Sequence, residues 1–164
     1  MAAIDISSHA VRELDLCPSE SEFRIHSLDK DRGQVLVLLG VRPLRPNDPY
    51  RLLLARLDRA GNVISTCRDI RELPGGEPVV VGLAGSGDDA FLAWSTHSHI
   101  LLARMPIGEG GNPERRWVLD KAPPEQGVVR VSVVDEWLFV AWEGSSPGRR
   151  WSLKLLRTEI DDLP

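Results

Sequence analysis

Few residues in this chain offer redox or metal chemistry. Two cysteines, Cys17 and Cys67, stand among 164 residues, and no CxxC pair gives them the spacing of a zinc ribbon or a thioredoxin-type site. The opening MAAIDISSHAVRELDL carries acidic residues early and no apolar run, so it does not read as a secretory signal. Without an export signal, reduced and half-buried thiols are expected in place of a bridge. No stretch reaches the ~18 uninterrupted apolar residues of a membrane-spanning helix. Positive charge is also short. Lys and Arg total 20 against 24 Asp and Glu, a net charge of -4, which is the opposite of the basic face that nucleic-acid binding needs. Arg115–Arg116 and Arg149–Arg150 are too brief to make such a face. Aromatics are 5% of the chain, with a single tyrosine, Tyr50. The remainder, 42% hydrophobic and 27% charged, is the composition of an ordinary globular domain. The expectation is one cytoplasmic domain over residues 1–164, large enough to bury a core.

Against these absences stands a repeat. Val81, Leu83, Phe91, Ala93 and Trp94 answer to Val129, Val131, Phe139, Ala141 and Trp142, every pair 48 positions apart without a gap. A fixed period in the 40s is the signature of a repeat architecture. A third, diverged copy precedes them. Gly33–Val37 takes the place of Asp88–Leu92, and LLLARL from Leu52 aligns with ILLARM from Ile100 and with LKLLRT from Leu153.

Taken in order, residues 1–17 allow a short helix capped by Ser7–Ser8 or a strand, since AVRELDL (Ala10–Leu16) alternates with period two. Pro18 ends either element. FRIHSL from Phe23 alternates again, and Asp29–Gly33 predicts a turn. Val35–Leu39 is a continuous apolar run, as a strand covered on both faces would be. The segment Arg42–Pro49, with three prolines, is a loop. Tyr50–Leu57 and Val63–Ile70 flank an Asp58–Asn62 turn and predict a hairpin. After the middle copy, Gly108–Pro113 turns the chain into RRWVLD (Arg115–Asp120), the counterpart of VISTCRD. Lys121–Gly127 leads to the last copy, which has three strands. The units are approximately 18–73, 74–123 and 124–164.

Short antiparallel strands in repeated groups of four resemble β-propeller repeat proteins, over about residues 10–160. Strands such as FVAW followed by LLARLDRAGN resemble the bacterial sialidase-like kind. No WD dipeptide, kelch glycine pair or S-x-D-x-G-x-T-W box occurs, so the resemblance is one of architecture and brings no catalytic residues with it. It implies an all-β fold of about three four-stranded antiparallel blades, a partial propeller with Trp94 and Trp142 between blades. A β-sandwich is the rival architecture. Ala10–Leu16, similar to the fourth strands VISTCRD and RRWVLD, is expected as a closing strand for the last blade. Three blades cannot close a ring, so a homodimer completing a six-bladed ring, or docking onto a partner's blades, is expected to cover the two end faces.

Chemical motifs are sparse. His97 and His99, as H-x-H on a strand, could share a face toward one Zn²⁺, but the sequence nominates no third ligand. Gly85–Ala90 matches G-x-G-x-x-A, yet Asp88 and Asp89 would oppose a pyrophosphate, and a β-turn explains it better. Asp88–Asp89 and Asp135–Glu136 fall at matching turns, which points to turn formation in place of acid/base chemistry. Trp117, Trp137 and Trp151, with Arg116 and Arg150 beside them, are the candidate binding residues, an aromatic and cationic platform for a sugar or peptide. No catalytic residue, metal or cofactor is assigned. The expected function is a non-catalytic binding or scaffolding module for a protein partner. A carbohydrate-binding propeller lectin and a degenerate sialidase-like enzyme fragment are the alternatives. For the latter, Tyr50 is the only available tyrosine nucleophile. No membrane or nucleic-acid partner is expected.

Overall fold

The computed structural model describes residues 2–5, 10–13, 16–17, 23–41, 50–73, 81–96, 98–107, 115–121, 128–146 and 149–163. The side chains of residues 2–5, 10–13, 66, 68, 71–73, 145–146 and 149–151 are outside that description. All regular structure among these residues is β. Strands β1 (Ala2–Asp5) and β2 (Ala10–Glu13) form a two-stranded sheet. The first four-stranded sheet contains β3 (Phe23–Asp31), β4 (Gln34–Val41), β5 (Tyr50–Leu57) and β6 (Val63–Leu73). The second contains β7 (Val81–Ser86), β8 (Asp89–Ser95), β9 (Ile100–Pro106) and β10 (Arg115–Asp120). The third has three strands, β11 (Val129–Val134), β12 (Trp137–Ser146) and β13 (Arg149–Glu159). Each is an antiparallel meander, and together they make a partial, propeller-like arrangement.

Hairpin chemistry sets the register. Two-residue turns join the first two strands of each of the three larger sheets: Arg32–Gly33, Gly87–Asp88 and Asp135–Glu136. In each the leading residue takes the left-handed region, at φ 43° for Arg32, 63° for Gly87 and 55° for Asp135. That backbone matches the right-handed twist of paired strands. The Asp29–Gly33 turn expected from sequence is thus shorter, because β3 continues through Asp31. Asp29 and Asp31 stay in the ladder opposite Leu36 and Gln34. GSGDDA is a hairpin: Ser86 pairs with Asp89 across Gly87–Asp88.

Period-two alternation divides each of the three larger sheets into a leading face, on the side of the sheet that follows in the series, and a trailing face. Leu36, Leu38, Leu52 and Leu54 on the leading face of the first sheet meet Val81, Leu83, Leu92 and Trp94 on the trailing face of the second. Phe91, Ala93, Ile100 and Leu102 then meet Val129, Leu138, Val140 and Trp142. Trp94 and Trp142 therefore occupy the same place in successive junctions, opposite Val81 and Val129. The first strands also adjoin, with β7 against both β3 and β11.

Two expectations change at the ends. β2 pairs with β1 and not with the third sheet; alternation alone cannot say which edge a strand will join. The trailing face of the first sheet is not open. Val37, Leu39, Leu53 and Ala55 are buried in a cluster with Leu16 and Cys17. Cys67 N–H donates to Leu16 O at 3.3 Å, and Cys17 is bonded to Cys67 with their Cα atoms 5.1 Å apart. The two sulfurs are a disulfide, where free thiols were expected. The contact joins residues 50 apart in sequence, a proximity that only the tertiary fold creates.

Candidate functional site

The register aligns one position across all three sheets. Arg56, Arg104 and Arg157 lie on the third strand, opposite Leu36, Phe91 and Phe139. Each guanidinium reaches the residue two places before that partner. Arg56 Nη2 and Nε donate to Gln34 Oε1 at 2.6 and 3.1 Å. Arg104 Nη2 and Nε donate to Asp89 Oδ2 at 2.6 and 2.9 Å. Arg157 stacks over Trp137, 3.8 Å from the ring centroid. A diagonal contact on one face recurs with three chemically different acceptors, an amide, a carboxylate and a π-face. Asp89 is accordingly a strand residue paired with arginine, whereas Asp88, Asp135 and Glu136 occupy turns.

Polar groups also cross between sheets. The N–H groups of Gly85 and Gly87 donate to Asp29 Oδ2 and Asp31 Oδ2 at 2.7 and 2.8 Å. A Cβ at Gly85 would lie 2.8 Å from Asp31 Cβ and from Leu36 Cδ1, so the approach requires glycine. At the far edge, Asp120 of β10 accepts from Trp142 Nε1 at 3.0 Å, from Lys154 Nζ, and from the Lys121 N–H at 2.9 Å. Partial burial pushes this carboxyl up, but the hydrogen bonds from Lys154, Trp142 and Lys121 outweigh it and hold its pKa below the ordinary aspartate value. Within the first sheet, His26 Nε2 and Tyr50 Oη lie 2.7 Å apart above Gly40. A Cβ there would be 1.9 Å from the phenol oxygen. Tyr50 is buried in the first junction.

The candidate residues from sequence are dispersed. Trp117 sits half-buried against the cluster between the second and third sheets, while Arg116 is exposed. Adjacent strand residues face opposite ways, so the two do not form one platform. Trp137 is half-buried, with Arg157 over its ring. Arg150 and Trp151 fall at a bulge near the start of β13, between the pairs Ser146–Arg149 and Gly144–Ser152; their side chains lie outside the described residues. His97 does too. His99 Nδ1 is 2.7 Å from Ser98 Oγ in a tight turn, where Thr96 Oγ1 accepts from the Ser98 and His99 N–H groups. Among the described residues no cluster of three or more His, Cys, Asp or Glu is placed to hold a metal.

Sequence reasoning expected an uncovered apolar end face on the last blade without naming its residues; it is the leading face of the third sheet. Leu153, Leu155 and Val134 are 77%, 63% and 55% exposed, beside half-buried Phe139, Ala141 and Trp137. The signal was present in the alignment of Leu153 with Leu52 and Ile100. The latter two are fully buried.

No protein-family model matches the chain, and no curated protein sequence matches it. Among solved structures it is similar to the GH43 endo-arabinanase from Bacillus licheniformis, with a TM-score of 0.52 and 14% sequence identity. The likeness covers 80% of this chain and 49% of that one, so the chain spans about half the length of the enzyme it matches. At this identity the likeness is one of fold. It supports a propeller-like architecture in general, without features particular to sialidase blades.

Proposed function

We propose that the chain is a non-catalytic, carbohydrate-binding module of propeller-like build. The observation that supports this is the likeness to an endo-arabinanase, an enzyme named for its action on arabinan. Trp117, half-buried on the outer edge strand of the second sheet, is the residue we assign to the sugar. Its indole would supply a partly accessible apolar surface, while Arg116 lies on the opposite face of the strand. Trp137 is less suited, because Arg157 already occupies one face of its ring. A glycan array including linear and branched arabinans tests the reading. Binding that weakens in Trp117→Phe but not in Arg116→Ala supports it. Absence of binding across the array, or hydrolysis of any bound glycan, counts against it.

A second reading, a protein-binding scaffold, is favoured by a separate observation: the exposed apolar leading face of the third sheet. The disulfide bears on where either function would operate. A Cys17–Cys67 bond favours an oxidising compartment over the reducing cytosol expected from the sequence. Thiol alkylation and mass measurement of the protein from its source would decide. Two free thiols would restore the cytoplasmic assignment.

A further inference from the structure

The leading face of the third sheet repeats, position for position, a face that is covered elsewhere in the same molecule, with Glu143 in the place of Ser95. Phe91 and Ala93 pair with Arg104 and Leu102, and Ser95 pairs with Ile100. Phe139 and Ala141 pair with Arg157 and Leu155, and Glu143 pairs with Leu153. The covered set sits under Val129, Leu138, Val140 and Trp142, on the trailing face of the sheet that follows. Ile100 and Leu102 are fully buried, whereas Leu153 and Leu155 are 77% and 63% exposed. Among the described residues no sheet lies over them.

We propose that this face is a docking site for a further blade-type β-sheet carried by another polypeptide, one that presents an apolar trailing face of the kind found on β11 and β12. The proposal rests on the scaffold reading. Continuity with the two existing junctions identifies the occupant: both bury this same leading pattern against aliphatic rows that include one tryptophan. A second copy of this chain does not fit head to tail. Its own trailing face at the first sheet is closed by Leu16 and Cys17, held to β6 through Cys67. A homodimer ring would therefore lack both of its joints. Exposed aliphatics in this number on one sheet face are the mark of an interaction surface.

The chain's own third unit serves as the probe. Leu155→Cys places a thiol on the face, and its alkylation rate is measured in the full chain and in a chain where residues 121–163 follow a second time. Docking of the appended unit is expected to slow labelling at the first copy by at least about tenfold, since the thiol then reacts only after local opening. Val140→Asp in the appended unit, which ruins its trailing face, is expected to restore the fast rate. Equal rates with and without the appended unit overturn the proposal. So does slow labelling in the unextended chain together with a mass twice 18.2 kDa, which would assign the face to a second copy. If the appended unit docks while no natural protein partner exists, the scaffold reading fails and the docking chemistry stands, so the two failures are separable.

Discussion

Between the first and second sheets Trp94 and Tyr50 are each 1% exposed, and nearly every apolar side chain in the contact is buried. Between the second and third, Trp142 is 7% exposed, and Trp117, Leu119, Leu156 and Ile160 are only half-buried. The rows of residues are homologous, but the polar fastening differs. The first junction is fastened beside the hairpin turns, where Asp29 and Asp31 accept from backbone N–H groups. The second is fastened at the outer strand, where Asp120 gathers an indole and an ammonium. A fully covered junction takes neutral backbone donors. A junction closer to solvent accommodates an ion pair whose charges keep part of their hydration. The difference follows from position in the series: the first sheet is covered on both faces, whereas the third has one face open.

The largest expected effect separates the two tryptophans. Trp94→Ala should cost ~3–5 kcal/mol, as large-to-small changes in a closed core do. Trp142→Ala should cost less, because its site lies nearer solvent. Urea denaturation of both variants measures this, and a larger loss at Trp142 would break the comparison. Next is the disulfide, which lies outside both junctions. Its reduction should lower stability by ~2–4 kcal/mol through the freed chain between Cys17 and Cys67. Hydrogen exchange at β8 and β12 should keep its rank order after reduction. Loss of protection first at the second junction would mean that the cap on the first sheet governs the whole series.

Much of this was legible in the chain. Phe91, Ala93 and Trp94 against Phe139, Ala141 and Trp142 announced two equivalent sheets, because residues facing a neighbouring sheet are constrained in size at each position. The strand run Val35–Leu39 was legible for the same reason: both of its faces are covered. The arginine positions were less so, since Gln34, Asp89 and Trp137 share no side-chain chemistry and only the register shows them as equivalents. Asp29 and Asp31 read only as part of a turn and Asp120 only as a strand end, because their partners, Gly85, Gly87, Trp142 and Lys154, come from another sheet. The Leu16–Cys17 cap was hidden because nothing local distinguishes a cysteine that meets β6 from one that stays reduced. Of the candidate binding residues, Trp117 and Trp137 proved to be half-buried, as tryptophans commonly are, and the exposed platform expected from their sequence neighbours does not form at Arg116–Trp117.

A smaller effect probes the first fastening. Asp29→Ala and Asp31→Ala should each cost about 1 kcal/mol, since each leaves a partly buried N–H without its acceptor. Exchange of the Gly85 and Gly87 amides should accelerate in the matching variant only. Acceleration of both amides in either variant would show that the two bonds act as one unit. Unchanged exchange would remove them from the account of the junction.

The second fastening differs in being sensitive to acid. Asp120 has its folded pKa held below the ordinary value, chiefly by Lys154 and Trp142 working against burial. In the unfolded chain it returns to about 3.9. A carboxyl depressed on folding contributes stability that is fully present above the unfolded value and is lost as pH falls through the folded one. The Lys154–Asp120 ion pair is partly exposed, 33% and 22% at its two side chains, so the contribution at neutral pH should be modest, about 1 kcal/mol or less. Asp120→Asn keeps the size and one acceptor but removes the charge, which cancels the titration of every other carboxyl from the comparison. The stability difference between parent and variant should therefore be constant from neutral pH down to about 5 and shrink below about 4. Urea midpoints for the pair at three pH values measure it. A difference that stays level into strong acid would show that Asp120 acts on the second junction through shape alone, and the contrast with the backbone-fastened first junction would disappear.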